Sequence, residues 1–545
     1  MSQRLYLGGT ILTLDATNSL AEAVLVEGGR IVAVGDLAEV EAAASPDAER
    51  QDLRGRTMIP AFIDPHGHFP DSGFLALHRA DLSGPPIGAC RGLEDVFDRL
   101  RAKAEATPPG EWVVGSMFEP SGLAEGRMPT RDELDRVSSA HPIWVAHISG
   151  HAGVANSRAL AFRAVDRDTP DPAGGRFGRD PASGELDGLL EGMAAMGDLG
   201  DSEFQITYER FRSAFTASAA EYLSQGVTLA QNAWATKRLL GYFGRIARDD
   251  DPEIDVMVLP AGFLEPRVSE GALDIPLPPD GSGIVLGPRK LFGDGSFHLQ
   301  TACLTKPYHK ALNGDPGHHC ELAVTREQMV KRIGKLHGLG FQCHIHANGD
   351  ATADVMLDAI EDVLESDPRD DHRHTLIHAQ TLREDQLDRM ARLGVTVSFF
   401  PAHLYYWGEF HRDVSLGPDR VRNMCPTRWA AERGLRFTIH NDAQVTPTLP
   451  LHLMWCAVTR RSAAGTEIGP EQALTPLEAL RAHTIDAAWQ VFQDHERGSI
   501  EHGKRADLTI LSGDPLADPS GIRDLVVEET LVRGKTAYRR DGAAA

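Results

Sequence analysis

Two imidazoles one residue apart, His66 and His68, close the run Met58-Ile-Pro-Ala-Phe-Ile-Asp-Pro-His-Gly-His-Phe69. Neutral imidazole is a strong transition-metal ligand, and a side-by-side pair makes half of a metal site. If the strand in the apolar run 58–63 continues through them, its period of two puts both rings on one face. Gly67 between them has no side chain, so a metal, a ligand or another backbone can approach closely. Alone, such a pair is more readily read as two polar residues in a turn. Four further groups lie downstream, however: Lys290, His346, His378 and Asp442. Histidine and carboxylate donors without cysteine suit zinc, and iron or manganese also accept them. Lysine is the odd member, because an ammonium repels a cation. It fits if two nearby metals depress its pKa and the neutral amine captures carbon dioxide as a carbamate bridging both ions. An ordinary surface salt bridge is the alternative for Lys290.

These groups need a scaffold that brings them together. From about residue 205 onward, helices alternate with short apolar strands. The spacing predicts strands at 227–230, 255–259, 290–292, 342–346, 375–378, 395–399 and 436–440, and helices at 325–338, 351–365 and 383–393. With 58–63 in front the strands number eight, which predicts a (β/α)8 TIM barrel with its active site at the C-terminal strand ends. His66, His68, Lys290, His346, His378 and Asp442 all fall on or just after such strands, so the barrel rule converges them on one mouth. Both ends of the chain carry short β runs broken by glycine pairs, and these are expected to pair into one small β-sandwich. The predicted units are 1–55 with 490–545 for the sandwich, 56–69 with 201–489 for the barrel, and 70–200 as an insertion capping the site. Within the insertion a helix is expected at 92–105, and the Gly/Pro/Asp-rich span 166–188 reads as surface loop.

Charge and composition exclude several classes. The chain has 545 residues, 42% apolar, with 55 basic against 78 acidic side chains, a net −23. Acidity spread along the whole length argues against nucleic acid or an anionic membrane as partner. The start lacks a long apolar core, and no run of about 18 apolar residues is present. Cys90, Cys303, Cys320, Cys343, Cys425 and Cys456 lie far apart without a Cys-x-x-Cys pair. The expectation is a cytoplasmic protein with reduced thiols, acting on a small molecule, with self-association as a homodimer left open.

Several ordered motifs carry a resemblance. Residues 59–68, Lys290-Leu-Phe-Gly-Asp-Gly295, His346-Ala-Asn-Gly-Asp350, Ile377-His-Ala-Gln380 and Asn441-Asp-Ala443 together resemble the amidohydrolase superfamily. Gly150-His-Ala-Gly-Val-Ala-Asn-Ser157, Gly184-Glu-Leu-Asp-Gly188, Thr475-Pro-Leu-Glu-Ala-Leu480 and Gly498-Ser-Ile-Glu-His-Gly-Lys-Arg-Ala-Asp-Leu508 extend the likeness over essentially the whole chain. Within the superfamily the chain resembles the YtcJ-like branch, amidohydrolase family 3, which includes N-substituted formamide deformylases. The resemblance implies His66 and His68 on a first zinc and a carbamylated, bridging Lys290. His346 and His378 would hold a second ion, and Asp442 would be both ligand and acid/base. His344 is the rival to His346, which is preferred because it occupies the histidine of the family's His-Ala-x-Gly-Asp. Asn441 stands where the family commonly has serine, and His440 before it is unusual.

Candidate substrate contacts are His151 and Asn156 in the insertion, His298 after the strand-four motif, and Tyr406 and Trp407 in the aromatic run after strand seven. Helix capping is an equal reading for Asn156, and loop packing for the aromatics. His318 and His319 read as exposed loop. The implied activity is metal-dependent hydrolysis of an amide-type C–N bond, such as an N-formyl or N-acyl compound, by metal-activated hydroxide. Deamination or ring opening of a nitrogen heterocycle would use the same groups. A non-catalytic metal-binding scaffold is the reading of another class.

Overall fold

The computed structural model describes residues 3–541 except 173–174, 198, 200–205, 251 and 312–313. Eight parallel strands line one barrel: Phe62–Ile63, Val227–Ala235, Asp255–Pro260, Ile284–Leu286 continued by Arg289–Phe292, Cys343–Ala347, Thr375–His378, Thr396–Phe399 and Phe437–Ile439. An Ala261–Lys290 bridge closes one seam. At the other, Ile63 N–H donates to His483 O and His68 N–H to Ala443 O. Strand five shows the pattern that builds the site. Alternation puts His344 and His346 on one face. Cys343 and Ile345 turn the other way, into an apolar cluster with Met329, Ile333, Met356 and Ile360.

The helices start where side chains can replace missing backbone partners. Thr325 and Gln328 form a reciprocal capping box at Arg326–Gly338, which satisfies two otherwise orphaned N–H groups. Glu384–Leu393 ends at Gly394, whose φ of 71° needs the freedom of glycine. The expected elements at 325–338, 351–365 and 383–393 correspond to Arg326–Gly338, Asp350–Ser366 and Glu384–Leu393.

The leading strand differs from expectation. The run 58–63 is split between two sheets. Thr57–Pro60 pairs antiparallel with Leu508–Leu511 and parallel with Gln3–Leu12, whereas Phe62–Ile63 pairs with Val227–Ala235. Pro60 has no N–H to offer a ladder, and at the switch Ala61 N–H donates to Asp507 O while Phe62 N–H donates to Gly226 O. One apolar stretch thus ties the terminal sheet to the barrel. That sheet has eight strands drawn from both chain ends. Its faces bury different sets, Tyr6, Val24, Met58 and Ile510 on one and Leu5, Ala23 and Leu25 on the other.

The insertion forms a six-stranded sheet, ordered Arg176–Arg179, Leu186–Glu191, Ala152–Ala155, Ile143–His147, Val113–Phe118 and Ala80–Asp81. The span read as surface loop therefore contains the strand Arg176–Arg179. Its register against Leu186–Glu191 buries Phe177 beside Leu190. The thiol expectation is also corrected. Leu304 and Tyr308 donate backbone bonds to His319 and His318, folding that loop back on itself. Cys303 and Cys320 come within 4.7 Å Cα to Cα and are disulfide-bonded, while Cys90, Cys343, Cys425 and Cys456 are free and buried. No helix among the described residues is long and apolar enough to cross a membrane.

Candidate active site

His66 and His68 do not continue a strand. They lie on the bend after Ile63, with His68 in a lone antiparallel bridge to Asn232. Backbone bonds hold the bend: His68 N–H to Ala443 O at 2.5 Å, and Ala233 N–H to Gly67 O at 2.8 Å. Gly67 is required for a different reason than ligand access. A Cβ there would lie 2.3 Å from Asp64 Oδ2 and 3.3 Å from the Tyr222 hydroxyl, so the close approach is made by the buried Asp64 carboxylate.

Six sequence-derived groups meet at this bend. Asp442 Oδ1 is 3.4 Å from His66 Nε2 and 3.3 Å from His68 Nε2, and Oδ2 is 4.0 Å from His378 Nδ1. Lys290 Nζ stands 3.5 Å from His66 Nε2, and the residue is only 1% exposed, which removes the surface salt bridge as an explanation. His346 lies 4.6 Å ring to ring from His378. Among the described residues, His66, His378 and Asp442 form a group whose ligand atoms all lie within 4.8 Å of one another. His378 and Asp442 are held at φ of 71° and 53°, a backbone region that costs a non-glycine residue about 1–3 kcal/mol and tends to persist at functional sites.

Electrostatics separate the groups. Burial, and then the Lys290 charge, drive His66 well below the usual imidazole range. Burial also lowers His68, but the hydrogen bond and charge of Asp442 outweigh it and raise that ring. For Asp442, burial works upward, and the bond and charge of His68 pull it below the usual carboxylate range. The two shifts agree on a His68–Asp442 ion pair. Burial brings Lys290 down to about 7, against the pull of Asp442.

The donor set fits a divalent cation. Ligand atoms each about 2.1 Å from one tetrahedral zinc stand about 3.4 Å apart, which is the spacing Asp442 Oδ1 keeps from both imidazole nitrogens.

The rival histidines of strand five separate by register. His346 pairs with Phe292, and His344 with Lys290 one layer deeper, where both its ring nitrogens are buried without partners. His346 Nε2 is turned to Gly295 O at 2.9 Å, which leaves Nδ1 as its available donor. Two residues without an assigned role in the sequence reading belong to the site. Asp294 accepts from Asn348 N–H, Gly349 N–H, Cys303 N–H and the Thr352 hydroxyl, fastening the loop after strand four to the helix after strand five. His440 Nε2 lies 3.1 Å from His378 Nδ1. Its odd identity before Asn441 was the only signal in the sequence.

The proposed substrate contacts divide. His151 reaches from the insertion to within 6.0 Å of the His346 ring. Trp407 packs with Met117 and Ile148 of the insertion, and Tyr406 borders the same cluster. His298 is buried edge-on to Trp407 at 4.6 Å, with Nε2 unpartnered. Asn156 is not brought to the mouth: its Oδ1 accepts from Ile143 and Ala159 N–H and its Nδ2 donates to His141 O. Its amide is spent capping a helix inside the insertion. His318 stacks on Tyr308 and bonds Gln300 O.

The sequence profile of the amidohydrolase family matches residues 49–538. That of the bacterial imidazolonepropionase-like composite domain matches the short stretch 23–44. An N-substituted formamide deformylase from Arthrobacter pascens is 32% identical, over 100% of this chain and 99% of its own. A putative amidohydrolase, YtcJ, from Bacillus subtilis is 28% identical over 98% and 99%. An uncharacterized metal-dependent hydrolase from Pyrococcus horikoshii has a similar structure, with a TM-score of 0.75 and 24% identity, covering 95% of this chain and 99% of that one.

Proposed function

The chain belongs to the amidohydrolase family, and from that premise we propose that it is a metal-dependent hydrolase of an amide-type C–N bond in a small molecule. N-formyl and N-acyl amines are the substrate class we favour, and zinc the metal. The observation that carries the reading is the Asp442 carboxylate, whose Oδ1 stands at ligand spacing from both His66 and His68.

His66, His68 and Asp442, with Lys290 as a bridging carbamate and His346 and His378 opposite, would hold one or two ions. Burial that brings Lys290 to about 7 supports carbamylation, because the neutral amine needed to add carbon dioxide is then abundant near pH 7. When bound, a divalent cation supplies a water acidic enough to serve as nucleophile at neutral pH and polarises the substrate oxygen. Asp442 takes the proton that this water gives up and returns it to the departing nitrogen. The C–N bond breaks as a C–O bond forms, so amide and water become carboxylic acid and amine. Trp407, Tyr406, His298 and the insertion's His151 would wall an apolar pocket and exclude bulk water. The connections seen support three domains, 1–55 with 490–545, 56–69 with 201–489, and 70–200 as a cap, with Thr57–Pro60 shared by the first two. A cytoplasmic location fits this reading.

The test is metal analysis of purified protein alongside Lys290→Met, with isotopically labelled bicarbonate to report the carbamate by carbon NMR. Two ions with a labelled lysine are expected, and loss of metal in the variant. One ion with unmodified lysine overturns the bridged pair. Product analysis on N-formyl and N-acyl amines should find carboxylic acid and amine. Ammonia from a heterocycle, with no amide cleavage, would shift the reading to deamination.

A further inference from the structure

Outside the ligand set, His298 is a buried imidazole to which the proposed reaction gives no hydrogen bond. It follows Asp294 by four residues, in the loop that Asp294 pins to Gly349 and Thr352 beyond strand five. Its ring stacks on Phe410 at 5.7 Å and meets Trp407 edge-on at 4.6 Å, with His403 at 5.4 Å. No hydrogen bond from the described residues reaches either ring nitrogen, and Nε2 is sealed from solvent. The neighbouring His403 and His411 do not serve it; they bond each other, Nδ1 to Nε2 at 3.0 Å.

Phe400 lies 6.1 Å from His378 and 4.5 Å from His403, so two rings separate His298 from the proposed ligand His378. Trp407 and Phe410 pack in one cluster with Met117 and Ile148 of the insertion and with Val445, three residues beyond Asp442. The box around His298 thus lies between the loop that carries Asp442 and the insertion. Asp442 returns its proton to the departing nitrogen, so the substituent on that nitrogen runs into this box. The box is uncharged: burial alone lowers His298, to about 4, and no arginine, lysine or carboxylate among the described residues contributes. A charged substituent there would lose its water and meet no opposite charge. Aromatic rings on two sides suit another ring. A neutral imidazole offers one donor and one acceptor, and a hydroxyl can both donate and accept, so it completes the bond with either tautomer.

We propose that His298 is a specificity-determining residue, which hydrogen-bonds a hydroxyl on an uncharged aryl substituent of the substrate nitrogen and turns away charged substituents. The inference rests on the amide-hydrolase reading for the direction in which the substituent points. A buried polar group without a partner favours the ligand that completes its bond, and one neutral hydrogen bond is worth about 3–10-fold in affinity. The bond lies away from the reacting atoms and is made equally before and during the reaction, so its loss raises KM and leaves kcat in place.

The experiment uses three N-formyl amines of matched length, with 2-phenylethyl, 2-(4-hydroxyphenyl)ethyl and 2-(4-carboxyphenyl)ethyl substituents. Dissociation constants come from calorimetry on metal-loaded Asp442→Asn, in which turnover is slowed, and kcat and KM from the wild-type holoenzyme. Each is repeated with His298→Phe, which keeps a ring between Trp407 and Phe410 but no hydrogen bond, and with His298→Gln, which keeps a donor and an acceptor. With His298 present, the hydroxyl compound should bind about 3–10-fold more tightly than the phenyl one, and the carboxyl compound about 100-fold more weakly or worse. His298→Phe should erase the hydroxyl preference through KM, with kcat and the phenyl compound little changed, and His298→Gln should restore part of it. Equal binding of the hydroxyl and phenyl compounds, a preference that survives His298→Phe, tight binding of the carboxyl compound, or no binding of any of the three each overturns the inference. Selective binding without cleavage would sink the hydrolytic reading and leave this inference standing, and cleavage without selectivity would do the reverse.

Discussion

Replacing Gly67 by alanine should damage the metal site more than the fold. The new Cβ would stand 2.3 Å from Asp64 Oδ2, about 1 Å inside normal contact. Either the carboxylate swings away, giving up its 3.3 Å bond from the Tyr222 hydroxyl, or the His66–His68 bend retreats. The bend is pinned by its bonds to Ala443 and Ala233, so the strain is shared and both imidazoles move. Overpacking of this kind costs about 1–3 kcal/mol, and a misplacement near 1 Å at a reacting centre costs about 100-fold in rate. We therefore expect Gly67→Ala to lower kcat/KM on an N-formyl amine about 100-fold and to weaken metal binding, with a modest shift in the urea unfolding midpoint. Asp64→Ala should relieve the clash. A double-mutant cycle in metal affinity should then show coupling above about 1 kcal/mol, as touching residues do. Wild-type metal affinity and turnover in Gly67→Ala would refute the steric account, and so would perfect additivity with Asp64→Ala.

Asp442→Asn should reduce turnover by about 10²–10⁴, the usual worth of general acid–base catalysis; near-normal turnover with metal retained would remove its proton-transfer role. Asp294→Asn should cost about 1–3 kcal/mol in urea unfolding, because an amide NH₂ would face at least one of the four donors that the carboxylate now satisfies. An unchanged midpoint would mean those bonds carry no net stability. The floor of the barrel should make the protein acid-sensitive. His374 Nδ1 accepts from Cys343 N–H, and His372 Nε2 bonds Leu393 O while its Nδ1 accepts from His374 N–H, so both rings are bonded as neutral tautomers. Burial lowers both below the usual imidazole range. The unfolded chain then binds more protons, so stability present above about pH 6.5 is lost as pH falls, by up to about 1.4 kcal/mol per pH unit for each ring. His374→Gln should flatten the slope between pH 7 and 5 by about one proton, and an unchanged slope would exclude it.

How much of this was legible in the sequence depended on how local the cause was. Strand and helix periods, capping residues and residue chemistry are local, and they sufficed for the eight strands, most helices and the six groups at the mouth. The switch between sheets at Ala61 was not legible, because the run 58–63 is uniformly apolar and only its partners distinguish the halves. Nor was the strand Arg176–Arg179, whose Gly/Pro/Asp-rich surroundings outweigh its own pattern until Leu186–Glu191 pairs with it. Cys303 and Cys320 are 17 residues apart, and only the folding back of their loop brings them together.

By itself, then, the sequence determined which chemistry was at hand: histidines, a lysine and an aspartate at the ends of barrel strands. Tertiary structure decided which atoms face one another. Register put His346 a layer above His344, and packing inside the insertion took Asn156 away from the mouth. Packing within the barrel set a fully buried His440 against His378. Residue type and spacing carry ligand identity, but orientation depends on partners tens to hundreds of residues away. At His66-Gly67-His68 the motif supplied the two imidazoles, and the Asp64 carboxylate packed against Gly67 is what requires the glycine.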